Sequence, residues 1–502
     1  MRIIGVPEAT LSPVGSLRTF LPLALLASIL FAGAAGCSRA GDGSIAVQLV
    51  YPSPPGAAAA SRASVRAASY ATDPADRIRI RVLAPHFAPI EKWFLRSDVH
   101  GEIGGIPPGT RITVEVDEYD NTATPSDNAV IAARLLGRGW FNGITLSPGE
   151  VKTVAVAMYA KGTIVTICGA PASGVGYGTA GDSGDGGLDN EARLGDPIAV
   201  KIAPDDSLLI SSMRYGRLRR VDRYGYVSNF GGSLTYAPFI NGTSMDNATT
   251  GQLFDIDFDI YGNMYVINQW QDIYKINYTN KATNLFYNSG IFVSNPGPNL
   301  AVVNLDIVYY TDGFGNNVYY VSNGIRNIFI NGSTSIPVFD NTLRINYLSR
   351  FPNGICSSVS DNSSKVIFCD TDHDMIKLVS FREDVVETMV GSQIFSPFSN
   401  DGVDPLTMTP VRPRVVDYNP ITGKIFFVEA GLNTSRVLYV DALGKVRVLA
   451  GTGTLGFSGD GDPATLAMLS DPRAITVDSR GNAYIADYGN HTVRMVVGGA
   501  LP

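Results

Sequence analysis

Histidine and cysteine are scarce in this chain, with four of each among 502 residues. The histidines are His86, His100, His373 and His491, and no His-x-x-His or Cys-x-x-Cys spacing is present. Because a zinc site needs three or four ligands converging at short distances, we predict no metal site and no cofactor. A glycine-rich phosphate loop before a helix and a Gly-x-Ser-x-Gly elbow are also missing from the sequence, so no catalytic residue stands out.

Charged residues are also few, at 17% of the chain, and the net charge is -7. A negative balance argues against nucleic acid as a partner. What is abundant is glycine, with 53 residues, and proline, with 29, next to 45% hydrophobic residues. This composition favours many short strands joined by tight turns, and we expect an all-β protein.

The N-terminus has the pattern of a processing signal. Arg2 and Arg18 precede an apolar run over residues 20–33, which is short for a membrane span. The sequence Ala-Ala-Gly-Cys follows this run and ends at Cys37, which resembles the bacterial lipobox. The resemblance implies a signal peptide over 1–36, a lipidated Cys37, a tether over 37–43 and, with Ser38 following, a place in the outer membrane. The alternative is an ordinary secretory signal with Cys37 as a bystander.

Residues 44–160 contain strand-like runs separated by turn chemistry, such as Ile-Pro-Pro-Gly-Thr at 106–110. An Ala/Ser/Pro-rich stretch near 52–75 has little to bury, and we predict a disordered loop there. The short strands indicate a β-sandwich. The pattern is similar to transthyretin-like or carboxypeptidase-regulatory-like sandwich modules.

Repeats begin after Lys161. The last unit contains DPRAITVDSRGNAYIADYGNHTVRMV, a second copy starts at Thr163, and Ser183-Gly-Asp-Gly aligns with Ser458-Gly-Asp-Gly. A worn third copy is FSNDGVDP at 398–405. These units resemble NHL repeats, which implies a β-propeller over 162–502.

The number of blades follows from an apolar marker residue that precedes the consensus basic position of each unit. Six such markers fit a six-bladed propeller of four-stranded blades. The final unit lacks its own fourth strand, so we predict that residues 163–168 pair into the last blade and close the ring. The markers are Leu218, Tyr274, Phe329, Ile376, Leu438 and Val493.

Some residues in the repeats could carry chemistry. Cys356 and Cys369 flank a turn and, if they face each other across a hairpin, could form a disulfide, whereas Cys168 reads as a core residue. His373 and His491 fall in structural turns of different blades. The aspartates of the Ser-Gly-Asp-Gly loops and of the worn copy could bind calcium, but we favour turn residues whose carboxylates accept hydrogen bonds from nearby amides. These aspartates are Asp185, Asp401 and Asp460.

The leading functional hypothesis is an envelope-anchored, non-enzymatic scaffold that binds a protein, peptide or glycan. Candidate binding loops are 239–251 and 341–354, because loops on a rigid scaffold often carry binding. The alternative is a metal-dependent hydrolase or lyase with its site in the propeller channel. Three or more converging carboxylate, Asn or His side chains there would favour the alternative.

Overall fold

The fold is described from a computed structural model of the chain. It describes residues 43–50, 76–96, 102–120, 134–169, 178–235, 241–293, 297–304, 307–312, 315–332, 342–343, 347–358, 365–380, 384–392, 401–408, 410, 412–420, 422–429 and 434–501. The predicted signal peptide, Cys37, the tether up to residue 42 and the loop near 52–75 lie outside these residues.

The N-terminal part of the chain forms one hydrogen-bonded series of seven strands in the order β3-β2-β5-β6-β7-β1-β4. In β2, buried and half-buried residues alternate, as expected of a strand with one face on a core. That core contains Ile45, Ile80 and Val114 from three strands and Val156 from a fourth. The β-sandwich stays a prediction. The strands are β1 (Gly43–Val50), β2 (Arg77–Ala84), β3 (Phe87–Leu95), β4 (Glu102–Ile106), β5 (Arg111–Tyr119), β6 (Leu135–Thr145) and β7 (Val151–Ala160).

The rest of the described chain is a six-bladed β-propeller, as the sequence predicts. Each blade has a core of four antiparallel strands. The first three blades consist of β9 (Pro197–Ile202), β10 (Leu208–Ser212), β11 (Arg217–Val221) and β12 (Val227–Gly231); then β14 (Leu253–Phe258), β15 (Asn263–Asn268), β16 (Ile273–Asn277) and β17 (Ala282–Tyr287), with β13 (Thr243–Ser244) at the edge; then β18 (Leu300–Asn304), β19 (Ile307–Thr311), β20 (Val318–Ser322) and β21 (Ile325–Gly332), with β23 (Leu348–Ser349) at the edge.

The other three blades repeat the same plan, and single 3-10 turns join several strands. Blade four has β24 (Pro352–Ser358), β25 (Lys365–Asp370), β26 (Met375–Ser380) and β27 (Val385–Val390), with β22 (Thr342–Leu343) at the edge; blade five has β28 (Pro413–Tyr418), β29 (Ile425–Glu429), β30 (Arg436–Val440) and β31 (Val446–Ala450); blade six has β32 (Pro472–Val477), β33 (Ala483–Asp487), β34 (Thr492–Val496) and β8 (Ile164–Cys168). Among the described residues, the 3-10 turns are Asp189–Glu191, Met213–Tyr215, Met245–Asn247, Thr371–His373, Ala464–Leu466 and Tyr488–Asn490.

The predicted ring closure is confirmed. Strand β8 pairs antiparallel with β34, with Thr166 opposite Arg494 and Ile164 opposite Val496. Both Ile164 and Val496 are buried between the fifth and sixth blades. The first propeller strand in the chain therefore completes the last blade, and the ring is closed by hydrogen bonds and by apolar packing.

The described residues of the propeller core form six apolar clusters, each lying between two neighbouring blades. One marker was misplaced in the prediction. Phe329 lies on β21, the fourth strand of blade three, whereas the third strand is β20. Apolar residues occur in both strands, so the apolar pattern alone did not distinguish them.

The two parts of the chain meet at the closure. Arg138 of β6 donates from Nη1 to Asn482 Oδ1 at 2.7 Å, and Asn482 Oδ1 also accepts from the backbone N–H of Gly498 at 3.0 Å. Asp117 holds the same guanidinium from the other side. A second link joins Arg480 to Glu115. The N-terminal sheet is thus bound to the blade that closes the ring.

Candidate functional site: the propeller channel

The channel is lined by the inner strands β9, β14, β18, β24, β28 and β32, which contact one another around the ring. All six run in the same direction, so they begin together at one mouth and end together at the other. Arg414 and Arg473 lie near the first mouth, and Asp257 and Asp417 lie towards the second. We call these the arginine mouth and the acidic mouth.

Lys201 lies at the centre of the charged lining. Its Nζ is 3.1 Å from Asp257 Oδ1 and 3.2 Å from Asp417 Oδ1. Burial opposes the charge on Lys201, but the two carboxylates hold its pKa well above its ordinary value. Burial raises the pKa of Asp417, and Lys201 opposes that rise. Three blades, the first, second and fifth, are joined across the channel by this one ammonium group.

Asp255 is the third carboxylate of the lining. It accepts backbone N–H bonds from Leu300 at 2.9 Å and from Ile256 at 2.9 Å. Burial nevertheless raises the pKa of Asp255 to about 7, with the nearby Asp257 adding to the rise. Its carboxyl group can therefore change protonation near neutral pH while its backbone contacts keep it in place.

The acidic mouth opens into a cavity of about 600 Å³. Apolar surface comes from Phe258, Tyr418 and the 72% exposed Ile260, and polar groups come from Asn419 and Thr476. A mixed lining of this kind on a concave surface is typical of sites for organic ligands.

A second cavity, of about 340 Å³, lies between the N-terminal sheet and the propeller. Trp140, Ile202 and Leu208 form part of its apolar wall, and Arg81 and Glu115 face it from the sheet. Ile202, Asp206 and Ser479 border both this cavity and the acidic mouth. The N-terminal sheet thus extends the concave surface at this end of the channel.

The two propeller histidines have structural roles. His491 adopts a left-handed conformation at the end of a 3-10 turn, and its Nδ1 lies 2.9 Å from Asp196 Oδ1. Burial lowers the pKa of His491, and Arg214 adds to this effect. His373 Nδ1 lies 2.9 Å from Asp370 Oδ2 in another blade. These positions agree with the predicted structural turns.

The aspartates of the Ser-Gly-Asp-Gly loops accept hydrogen bonds from arginine side chains. Asp460 accepts from Arg494 Nη2 at 2.7 Å, and Asp185 accepts from Arg219 Nη2 at 2.7 Å. In the third copy, Asp401 accepts from the backbone N–H of Val448 and from Arg447. We expected backbone amides as the donors, which is correct for Asp401. For the two well-kept copies the main partner is instead a buried guanidinium on the same blade.

The predicted opposition of Cys356 and Cys369 is wrong. Cys356 lies opposite Ile367 and Ser358 lies opposite Lys365, so the register next to the turn leaves Cys369 two residues beyond the partner of Cys356. Cys356 and Cys369 face the same inter-blade cluster as two buried free thiols. Cys168 is a buried core residue, as predicted.

None of the described residues of the two candidate binding loops lines the acidic mouth. Of loop 239–251, the described part contains the 3-10 turn Met245–Asn247 and the fully buried Thr250, whose carbonyl accepts from Asn268. Loop 341–354 leads into β24, and Asn353 at its end lines the arginine mouth. The described residues of these loops therefore have structural roles, except Asn353, which lines the channel.

Sequence reasoning missed the channel residues Lys201, Asp257 and Asp417. A signal was present, because each occupies the fifth position of an inner strand that is otherwise mostly apolar. A charge at that position in three different repeats marks the channel side of the strand. Among the described residues, no group of three or more His, Cys, Asp or Glu side chains is arranged to hold a metal ion.

Comparison with known proteins matches residues 469–494 to the NHL repeat. The search of curated proteins found no match. Among solved structures, an auxiliary nutrient binding protein from Bacteroides ovatus is 16% identical, covers 83% of this chain and 90% of its own, and has a TM-score of 0.46. A virginiamycin B lyase from Staphylococcus aureus is 11% identical and has a TM-score of 0.36, and the match covers 76% of this chain and 90% of the lyase chain.

These observations define the class of the protein. It is an all-β protein with a six-bladed propeller, and the last blade of that propeller carries an NHL repeat. None of the helices that the structure describes is both long and apolar enough to cross a bilayer.

Proposed function

We propose that the protein is an envelope-anchored, non-enzymatic binding scaffold whose ligand docks at the acidic mouth of the propeller channel. Cys37 carries the lipid anchor, and the outer membrane is its destination. The N-terminal domain holds the propeller and borders the same concave surface. The ligand is a peptide, protein or glycan segment with both apolar and polar groups.

The observation that carries this proposal is the position of Lys201 between Asp257 and Asp417. Carboxylates do gather in the channel, which is the feature that a metal-dependent enzyme would need. However, the ammonium group of Lys201 lies at the point where a metal would bridge these two carboxylates. The chain supplies its own cation there, and Lys201 offsets part of the negative charge of the lining.

The shape and chemistry of the mouth support an organic ligand. Aromatic rings such as Tyr418 and Phe258 offer large contact areas with few rotatable bonds. Asn419 and Thr476 add polar groups to the lining, and their side-chain oxygens accept hydrogen bonds from Thr422 and Ile202. The cavity of about 600 Å³ lies within the size range of typical ligand sites.

The test is binding of the soluble chain, starting at residue 38, to an oligosaccharide array and a peptide array. We expect Tyr418→Ala and Ile260→Asp to remove most of the binding that the unaltered chain shows. Leu443→Ala is the matched control, because Leu443 is 80% exposed on the hairpin between the outer strands of blade five. Binding that survives both mouth variants would place the ligand elsewhere.

A metal-dependent hydrolase or lyase is the second candidate, because Asp255, Asp257 and Asp417 all line the channel. Elemental analysis of the purified chain separates the two. The scaffold proposal expects metal well below one equivalent, and one tightly bound equivalent per chain would favour the enzyme.

A further inference from the structure

The cavity between the N-terminal sheet and the propeller, which we call the sheet–propeller cavity, has the size of a small-molecule site. Its volume of about 340 Å³ lies at the lower end of the range of about 300–1,000 Å³ that is typical of such sites. Arg223 belongs to its lining and is exposed to solvent, so the cavity is open on at least one side. A small molecule can therefore enter it.

Hydrogen bonds between the two parts of the chain fix the walls of this cavity. On the side of blade six, Arg138 donates to Asn482. On the side of blade one, Thr113 Oγ1 donates to the carbonyl oxygen of Tyr224 at 3.0 Å. The sheet is thus attached to two blades, and the space between the attachments is formed before a ligand arrives. A preformed site lowers the entropic cost of binding.

The apolar part of the wall is built around an aromatic ring. Trp140 of β6 lines the cavity together with Leu208 and Val221 of blade one. The centroid of the Trp140 ring lies 5.5 Å from that of Tyr159, and this contact restrains the indole. A restrained aromatic ring offers a large, flat apolar surface to a ligand.

The polar part of the wall contains groups that are open to a ligand. The side chain of Asn142 is half-buried and has no hydrogen bond to any other described residue. Asp189 Oδ1 accepts from the backbone N–H of Asn190 at 2.9 Å, and burial raises the pKa of Asp189 to about 7. Its carboxyl group can therefore accept or donate near neutral pH. Arg223 adds further donors.

This set of groups favours a neutral ligand with several hydroxyl groups. Four arginines and five carboxylates line the cavity, so an ion of either sign meets charges that repel it. A hydrocarbon would leave buried polar groups without partners, which is costly. Hydroxyl groups both donate and accept, so they can satisfy carboxylate, amide and guanidinium groups alike. A sugar ring combines such hydroxyl groups with C–H faces that pack on an aromatic ring.

We propose that the sheet–propeller cavity binds one neutral sugar unit, which packs on Trp140 and exchanges hydrogen bonds with Asn142, Asp189 and Arg223. None of these four residues lines the acidic mouth. The proposal therefore does not rest on the function proposed above, and either site can exist without the other.

Saturation-transfer NMR on the soluble chain starting at residue 38 tests this site. The probes are the methyl glycosides of glucose, galactose, mannose, xylose and N-acetylglucosamine. We expect at least one of them to bind saturably. Asn142→Leu keeps the volume of the side chain but removes its donor and its acceptor, so binding should become about tenfold weaker. Trp140→Leu removes the aromatic surface and should weaken binding to a similar extent.

Phe141→Leu is the matched control for the aromatic variant. Phe141 is the next residue of β6, is 44% exposed and does not line the cavity. This control and Tyr418→Ala should both bind the sugar as the unaltered chain does. If Trp140→Leu does not fold, Asn142→Leu decides alone, because Asn142 is only half-buried. Loss of binding in Tyr418→Ala, with both cavity variants unaffected, would assign the sugar to the acidic mouth and overturn this site.

Charged analogues test the preference for a neutral ligand. The uronate and the amino sugar that correspond to the best-bound glycoside should each bind more weakly than that glycoside. Tighter binding of either analogue would overturn the choice of a neutral sugar. Failure of all five glycosides to bind, or equal binding by the unaltered chain and both cavity variants, would overturn the site itself.

Discussion

Arg494 donates to Asp460 across 2.7 Å, and its guanidinium is wholly buried while Asp460 remains 39% exposed. The same group also donates to the carbonyl oxygens of Ser458 and Met468. One side chain thus ties the Ser-Gly-Asp-Gly loop to the third strand of the last blade. Arg219 and Asp185 repeat this arrangement in the first blade.

Replacing Arg494 should therefore destabilise the propeller. We expect Arg494→Met to lower the free energy of unfolding by about 2–4 kcal/mol, since two buried carbonyl groups lose their donor. Urea unfolding followed by fluorescence measures this. Arg447→Met is the matched control: Arg447 pairs with Asp401 in the worn copy but is 33% exposed, so a clearly smaller loss is expected. Equal losses would contradict a special role for the buried arginine.

Without Lys201, the carboxylates of Asp257 and Asp417 should repel each other in the channel. We expect Lys201→Met to cost about 2–3 kcal/mol, below the full value for a buried pair because Lys201 is 25% exposed. Calcium or magnesium should then raise the melting temperature of the variant and leave that of the unaltered chain unchanged. Lys281→Met, which breaks the exposed pair with Asp246, should change neither stability nor the response to metal. A variant indifferent to divalent cations would count against our description of the channel.

The pKa of Asp255 predicts a dependence on pH. Burial raises this pKa to about 7 in the folded protein, above its ordinary value of 3.8. Between these values the folded state binds a proton that the unfolded state lacks, so this group's contribution to stability falls as the pH rises from about 4 to 7. Asp255→Asn should lack this contribution. Denaturant unfolding at pH 5 and pH 7.5 measures the free energy of unfolding of both proteins. Relative to the unaltered chain, Asp255→Asn should be more stable at pH 7.5 than at pH 5. The same difference in stability at both pH values would refute the raised pKa of Asp255.

The pairing of β8 with β34 predicts the effect of truncating the chain before the propeller. A chain starting at Gly169 lacks the strand that pairs with β34 and loses the buried Ile164. We expect it to aggregate or to unfold at much lower urea concentration than a chain starting at Gly162, because the last blade is left with an open edge. Addition of a synthetic peptide covering 162–168 should restore part of the stability. Equal stability of the two chains would show that the closing strand is dispensable.

The lipid anchor can be tested directly in a bacterial host. Cys37→Ala should abolish incorporation of labelled palmitate and move the protein from the membrane fraction to the soluble one, because anchoring depends on buried acyl chains. Cys168→Ala, at a buried core position, should leave fractionation unchanged. Membrane association that persists in Cys37→Ala would instead favour another mode of attachment.

The sequence by itself determined the repeat architecture. The spacing of the units predicted six blades, and the missing fourth strand of the last unit predicted the closure by 163–168. These features are local or periodic, so they can be read along the chain. Phe329 was misplaced because apolar residues occupy both β20 and β21, and the register at Cys356 was wrong because it depends on where the hairpin turns, which the strand pattern does not fix.

Only the tertiary structure decided what the channel contains. Lys201, Asp257 and Asp417 are separated by up to 216 residues and meet because ring closure brings three inner strands to one axis. Arg414, Arg473 and Asn353 converge at the other mouth for the same reason. Their chemistry depends on distances between blades, and those distances depend on how the whole ring closes.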